Sequence, residues 1–514
     1  MSDAQKATVT LPIGTLEGVR GDGLYLFKGV PYAAAPVGPR RWMPPQPVEP
    51  WQGAYRADRF RDVAPQNPLI GGPSPEEPEP QSEDCLFLNI FTPGLDDARR
   101  PVMVWIHGGA FSFGSGSSPM FDGSDLARRH DVVVVTVNYR LNVLGFLNLH
   151  EVTGGKISAT GNEGLLDQAA ALRWVRDYIA VFGGDPLNVT VFGESAGAMS
   201  IACLLVMPAA KGLFDKAILE SGVGSTATPL ADATAVAKLF LQVVGIAADD
   251  VDALRRLTVQ QLLAAELTMR QRLANPWEAA RITATAPVVD GHVIPDVPTR
   301  LSGQGASKDI PMIIGTNLEE WKLFAMADPN KDSIDRAEII RRLSVFVPAD
   351  LAANVVERYY QARARRHEDT SAPEVSAAIN TDVMFRMPAL QLVEAQLRHN
   401  PQVYNYLFTY RSPVMGGIFG ACHALEMGFV FGTHDDLFCG TGAAADRLSR
   451  CIQEAWTTFA RTGRPAAESM GDWPAYGDKR WTMVIDTPCH LESAPYEDER
   501  RAWDEVGDLS NVLL

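Results

Sequence analysis

Ser195 stands in the run Gly193-Glu194-Ser195-Ala196-Gly197. A serine with glycine two positions away on each side is the pattern of a nucleophile on a sharp strand-to-helix turn. The glycines let neighbouring backbone pass close to the turn. Such a short pattern arises by chance as well, so its meaning depends on its surroundings. Here the apolar run Val189 to Phe192 enters the motif, and a helix is predicted from Ser195 to Met207. That arrangement puts the hydroxyl at the C-terminal edge of a sheet and at a helix N-terminus, where amides and dipole favour developing negative charge. The plain alternative is a serine that merely caps a helix.

An acylating serine needs donors for the carbonyl oxygen that becomes negative. His107-Gly108-Gly109-Ala110-Phe111 directly follows the strand-like Val102 to Ile106. The amides of Gly109 and Ala110, with that of Ala196 next to the nucleophile, are the predicted oxyanion donors. Gly108 supplies the bend, and His107 reads as part of the scaffold rather than as the base. This chemistry requires neither a metal nor an organic cofactor.

The elements that must position these groups follow a βαβ rhythm from Pro101 onward. Predicted strands are Val102 to Ile106, Val132 to Asn138, Val189 to Phe192, Lys216 to Glu220, Pro311 to Gly315 and Tyr404 to Tyr410. Gly164 to Phe182 has helical apolar spacing through Leu165, Leu166, Ala169, Leu172, Val175, Ile179 and Phe182, and Ala443 to Thr462 is a further helix. Continuous apolar strands alternating with helices imply an α/β protein, with a large mostly parallel sheet covered on both faces. The first ~60 residues read as short strands and turns, and Gly71 to Gln81 as a Pro-rich surface loop. Stretches at about Asp232 to Arg272 and Ile334 to His399 read mainly helical. They are expected to be insertions in a single domain spanning 1–514. Taken as about 225–280 and 322–400, they form the wall and lid of a substrate gorge.

The 514 residues carry 46 basic and 62 acidic side chains, a net charge of −16. No basic cluster is present, which argues against a nucleic-acid partner. No apolar stretch is long enough to span a membrane. The N-terminal Met-Ser-Asp-Ala-Gln-Lys-Ala-Thr-Val lacks the apolar core of a secretory signal. The six cysteines (Cys85, Cys203, Cys422, Cys439, Cys451 and Cys489) form no CxxC pair and no zinc spacing. They read as free buried thiols of a cytoplasmic protein.

Glu83-Asp84-Cys85-Leu86-Phe87-Leu88-Asn89, His107 to Phe111, Asn138-Tyr139-Arg140, Phe182-Gly183-Gly184-Asp185-Pro186 and Gly193 to Ala198 together resemble the type-B carboxylesterases. That is the esterase–lipase–cholinesterase group of the α/β-hydrolase fold, and the likeness runs from about residue 10 to about 490. His423-Ala424-Leu425-Glu426 and Phe429-Val430-Phe431-Gly432 are most similar to its bacterial para-nitrobenzyl esterase branch.

The resemblance implies a triad in the chain order Ser…Glu…His. The family acid follows a strand in a Gly-x-x-x-Asp-Glu-Gly pattern, which Gly315-Thr316-Asn317-Leu318-Glu319-Glu320-Trp321 matches at Glu320. Trp321 departs from the usual glycine and leaves Glu319 as a rival. His423 matches the family base. On chemistry alone, a base needs an acidic partner to fix its tautomer, and His434 is its main competitor, read as an exposed loop residue. Glu194 and Ser221 match buried polar residues behind the family triad.

Val63 to Ser82 contains no aromatic residue, which disfavours a quaternary-ammonium site. No cysteine precedes Cys85, so the disulfide of secreted members cannot form. Arg281 to Thr285 lacks the aromatics of a tight acyl pocket, and Arg281 reads as a solvated rim residue. The expected function is hydrolysis of small to medium carboxylic esters through an acyl-enzyme, with a small-molecule ester as the only partner and a monomer or weak homodimer as the assembly. Carbamate, amide or lactone hydrolysis is the nearer alternative, and a non-catalytic binding protein the more distant one.

Overall fold

The computed structural model describes residues 5–68, 79–222, 227–273, 284–507 and 509. Its centre is a 13-stranded sheet. Three antiparallel strands open it: β1 (Gln5–Leu11), β2 (Gly14–Gly21) and β3 (Leu24–Pro31), with the short β4 (Ala54–Arg56) beside β2. The chain then lays down β5 (Phe87–Thr92), β6 (Arg100–Ile106), β7 (Val133–Val137), β8 (Gly184–Glu194) and β9 (Lys216–Glu220). A separate parallel pair, β10 (Thr228–Pro229) and β11 (Val288–Val289), lies off the sheet. The sheet continues with β12 (Met312–Asn317), β13 (Val403–Phe408), β14 (Trp481–Ile485) and β15 (His490–Ser493).

The strand order is β1-β2-β3-β5-β7-β6-β8-β9-β12-β13-β14-β15. The seven strands from β7 to β14 in that order run parallel, and antiparallel strands flank them on each side. The α/β architecture expected from the alternating apolar runs is therefore present.

The period of two along a strand explains how both faces are buried. On β6, Val102, Val104 and Ile106 join one core with Val189, Val191, Leu219 and the helix Glu163–Tyr178. Met103 and Trp105 point the other way. They join Phe192, Ile218 and Ile313 beneath the helix Ala443–Thr462, which contributes Leu448, Ile452, Trp456 and Phe459. The predicted helix Gly164 to Phe182 is α-helical to Tyr178 and closes in a 3-10 turn, Ile179–Phe182. Both stretches read as mainly helical are mainly helical where described. They hold Leu230–Val244 and Val259–Leu273 in the first, and Arg336–Leu343, Ala349–Arg365, Ala372–Thr381 and Met387–Leu397 in the second.

The recognised motifs are largely scaffold. Arg140 donates to both oxygens of Asp167, at 2.7 Å each, and both residues are buried. Breaking such a buried pair costs about 3–5 kcal/mol, because the surviving charge is stranded. Asn89 accepts from the Gly29 amide at 2.8 Å and donates to Thr136 Oγ1 at 3.0 Å, tying β3 to β5 and β7. Gly183 takes φ +78° to turn the chain into β8, a conformation glycine adopts at no steric cost. All six cysteines are free, and five of them are buried. No helix among the described residues is long and apolar enough to cross a membrane.

Candidate active site

β8 ends at Glu194, and the helix Ala196–Leu204 begins immediately, leaving Ser195 as the hinge between them. Its φ of 53° and ψ of −124° lie in a region that costs an L-residue about 1–3 kcal/mol. Close packing enforces the turn. A Cβ on Gly197 would meet the Ile106 carbonyl at 2.0 Å, and one on Gly193 would meet it at 2.6 Å. The Ser195 amide is fixed to the Glu220 carbonyl at 2.8 Å. The side chain makes no capping hydrogen bond, so the plain capping role does not describe it. Ser195 is half-buried between the buried Glu194 and Ala196.

The loop after β6 approaches the same point. A Cβ on Gly108 would lie 2.8 Å from a Glu194 carboxylate oxygen and 3.2 Å from Ser195 Cβ, so only glycine admits this contact. Gly109, Ala110 and Phe111 all have positive φ, at 101°, 51° and 58°. The Gly109 carbonyl accepts from the Ser112 and Phe113 amides, curling the loop, while the Gly109 and Ala110 amides donate to no backbone carbonyl of the described residues. The Ala196 amide is the first of its helix and has no intrahelical acceptor. His107 is scaffold, as predicted. Its ring is buried, stacks on Tyr139 at 4.4 Å and donates from Nδ1 to the Gly108 carbonyl at 2.8 Å, while burial lowers its pKa to about 4.

The residues expected as acid and base come from the far half of the sheet. β12 ends at Asn317, and three residues later Glu320 precedes the helix Trp321–Ala325. Glu320 Oε1 accepts the Asn317 amide at 2.7 Å, and Oε2 lies 2.7 Å from His423 Nδ1. Glu319 points elsewhere, into Lys322, Arg411 and the Ala421 amide, each at 2.9 Å. Trp321 distorts nothing, since Glu320 has helical φ and ψ of −43° and −48°, and Trp321 continues that helix. No glycine is needed there. His434 is not an exposed loop residue as expected. Its side chain is 11% exposed, stacked on Phe429 and paired with Asp446 at 3.0 Å. Arg281 lies outside the described residues.

His423 is enclosed on several sides. Nε2 is 3.0 Å from Glu194 Oε1, but that oxygen lies off the N–H direction and completes no hydrogen bond. The rings of Phe324 and Phe385 pack on the imidazole at 5.0 and 4.8 Å and stack on each other. Neither phenylalanine stands in a motif, and sequence reasoning missed both.

It named Glu194 behind the site but gave no role to Glu220 or Glu426. In the register of β8 and β9, Glu194 faces Glu220, which accepts from Trp456 Nε1 at 2.8 Å. Glu426 accepts from Asn317 Nδ2 and, at 3.3 Å, from Ser221 Oγ. Burial raises the pKa of Glu194 and pushes that of Glu220 well above the carboxylate range. Glu426 reaches about 8 through burial and the nearby Glu194 and Glu320. Ser195, Ser221, Ala110, Phe111 and Ala424 are all non-glycine residues at positive φ, so part of the backbone strain of the described residues sits at the site.

Burial alone would lower the pKa of His423, but the carboxylates of Glu194 and Glu320 outweigh it and hold the ring well above the usual histidine value. A ring that works as a base must be neutral, so the rising limb of kcat/KM is expected above the reference value of about 6.5. Glu194→Gln should move that limb to lower pH; an unmoved limb would show that Glu194 does not act on His423. The same shift is a stability term. The contribution of the imidazolium is complete below about pH 6.5 and is lost as pH rises through the raised folded-state value.

A model of the carboxylesterase family matches residues 5–503. The chain is 40% identical to a Bacillus subtilis para-nitrobenzyl esterase over 96% of its length and 97% of that protein. It is 35% identical to a Pseudarthrobacter oxydans phenmedipham hydrolase, covering 91% of this chain and 93% of the relative. Among solved structures, a thermophilic para-nitrobenzyl esterase superposes with a TM-score of 0.86 at 38% identity, over 97% of this chain and 100% of that one. A Geobacillus stearothermophilus carboxylesterase gives 0.84 at 38%, over 96% and 99%. With this fold, with a strained serine at the end of β8, and with these relatives across its length, the chain belongs to the carboxylesterase family, the serine hydrolases of carboxylic esters.

Proposed function

We propose that the chain hydrolyses small to medium aryl or para-nitrobenzyl-type esters by two-step acyl transfer through Ser195. His423 takes the proton of the Ser195 hydroxyl as the oxygen attacks the ester carbonyl. Glu320 holds the imidazole by its Nδ1 and balances the charge that forms there. The amides of Gly109, Ala110 and Ala196 receive the carbonyl oxygen as it becomes negative. The C–O bond to the alcohol breaks, and the alcohol leaves with the proton from His423. Water then gives its proton to His423 and attacks the acyl-serine; the acyl–Oγ bond breaks, the acid leaves and Ser195 takes the proton back from His423. Glu194 and Ser221 support the site from behind.

The observation that carries this reading is the 2.7 Å bond between Glu320 and His423, both buried beside the strained Ser195 turn. The stretches 225–280 and 322–400 serve as wall and lid of a single domain. The protein works in the cytoplasm, as a monomer or weak homodimer, without a cofactor. Similarity to a phenmedipham hydrolase favours a second reading, carbamate hydrolysis by the same residues.

A panel that varies acyl and alcohol groups separately, with phenmedipham included, separates the two. Para-nitrobenzyl and para-nitrophenyl esters of short acids should give the highest kcat/KM, with a burst of one alcohol per active site wherever deacylation is slow. Phenmedipham turned over faster than every ester would replace this substrate class with the second.

A further inference from the structure

The helical stretch from Ala372 to Leu397 changes pitch in its middle. Asp382–Arg386 is a π-helical turn, closed by the Met387 amide donating to the Asp382 carbonyl five residues back. Such turns carry one residue more than the α-helical ladder accommodates and persist only where their surroundings hold them. Here both ends are held in a buried setting. Asp382 accepts from the Tyr359 hydroxyl, which in turn accepts from Trp503 Nε1 at 2.7 Å. Arg386 lies 3.3 Å from Asp382 and donates to the carbonyls of Pro495 and Tyr496 at 3.1 and 3.0 Å. Asp382, Arg386, Tyr359 and Trp503 are 3%, 6%, 1% and 4% exposed, so water does not compete for these bonds.

The turn borders the site on two sides. Thr381, the residue before it, accepts the Trp321 amide at 3.0 Å, next to Glu320. Phe385, within it, lies 4.8 Å from the His423 ring. Relaxation of the π turn to α pitch would rotate Phe385 about the helix axis by part of the roughly 100° that one residue's turn represents, and take it off the imidazole.

We propose that Tyr359 and Asp382 are positioning residues for the hydrolytic reaction: their buried hydrogen bond keeps the π turn, and the π turn keeps Phe385 against the catalytic His423. This rests on His423 being the base. The ring contact limits the orientations of the imidazole, which must take a proton from Ser195 while bonded to Glu320. Misplacement of a reacting group by about 1 Å can cost up to ~10²-fold in rate, even when the cause is remote.

Tyr359→Phe removes the hydroxyl and leaves the ring, which packs edge-on against Trp503 at 6.3 Å. Its kcat for a small para-nitrophenyl ester should fall about 10-fold, within that range, with KM nearly unchanged. In a Phe385→Ala background the same substitution should add nothing, because the contact it protects is already gone. An unchanged kcat in folded Tyr359→Phe, or an equal loss in both backgrounds, overturns the proposal. Should Tyr359→Phe fail to fold by circular dichroism, Asp382→Asn replaces it in the same cycle with the same outcomes. Ser195→Ala keeps the two readings apart. If it is inactive while Tyr359→Phe is normal, only the positioning role fails; if it is active, the acyl-transfer reading itself fails.

Discussion

Ser195→Ala should lower ester turnover by about 10⁶-fold, the scale seen when the nucleophile of a serine hydrolase is removed. The loss is that large because nothing beside Ser195 can take its place. The turn projects one hydroxyl to the C-terminal edge of the sheet, and the next residues, Ala196 and Gly197, carry none. Folding should survive. The side chain is half-buried and caps no helix, and alanine meets the same backbone penalty at φ 53° that serine does. The expected change in stability is therefore within about 0.5 kcal/mol, the range of a substitution that breaks no buried contact. Turnover of a para-nitrophenyl ester and a thermal melt measure the two halves. Organophosphate adds a third, since it should add one label to the parent protein and none to the variant. Turnover retained above a few per cent would remove Ser195 from the chemistry.

What could be read from the chain follows from where the physical signal lies. The strands β6, β7 and β9 and the inner part of β8 are buried on both faces, so their apolar runs are long and their boundaries were foreseen within a few residues at most ends. The exception is β8, which begins at Gly184 rather than near Val189, because the turn at Gly183 pairs with Arg100 and extends the ladder. Ser195 and the loop after β6 were legible because a strained turn and a close backbone approach demand small residues at set positions.

The family pattern pointed to Glu320, but local composition alone did not separate it from Glu319. Both follow the same strand, and only the direction of the turn decides which carboxylate meets His423. Glu220 looked like any glutamate at a strand end until the pairing of β8 with β9 set it beside Glu194. Phe385 and Tyr359 were beyond reach. A π turn has no period of its own in the sequence, and the partners that sustain it lie up to 144 residues apart. His434 was misjudged because its loop folds back onto Phe429, a tertiary contact that local composition does not encode.

The acid is the remaining point at which adjacent residues make opposite predictions. Glu320→Gln keeps the shape of the side chain but removes the charge that faces Nδ1. The amide can turn its NH₂ group to the ring, favouring the tautomer that carries the proton on Nε2, where it cannot accept one from Ser195. Triads altered in this way lose about 10⁴-fold in kcat. Glu319→Gln touches none of this. Its carboxylate pairs with Lys322 and Arg411 and accepts the Ala421 amide, tying the acid loop to the segment that leads into His423. Loss of those partly exposed pairs should cost about 1 kcal/mol in stability and leave kcat within a few-fold. Parallel kinetics and melts of the two variants should therefore differ: Glu320→Gln inactive, Glu319→Gln active and slightly less stable. The inverse pattern would transfer the acid to Glu319 and require the loop after β12 to turn the other way. Equal activity in both would mean that His423 works without a carboxylate on Nδ1, which the 2.7 Å contact with Glu320 argues against.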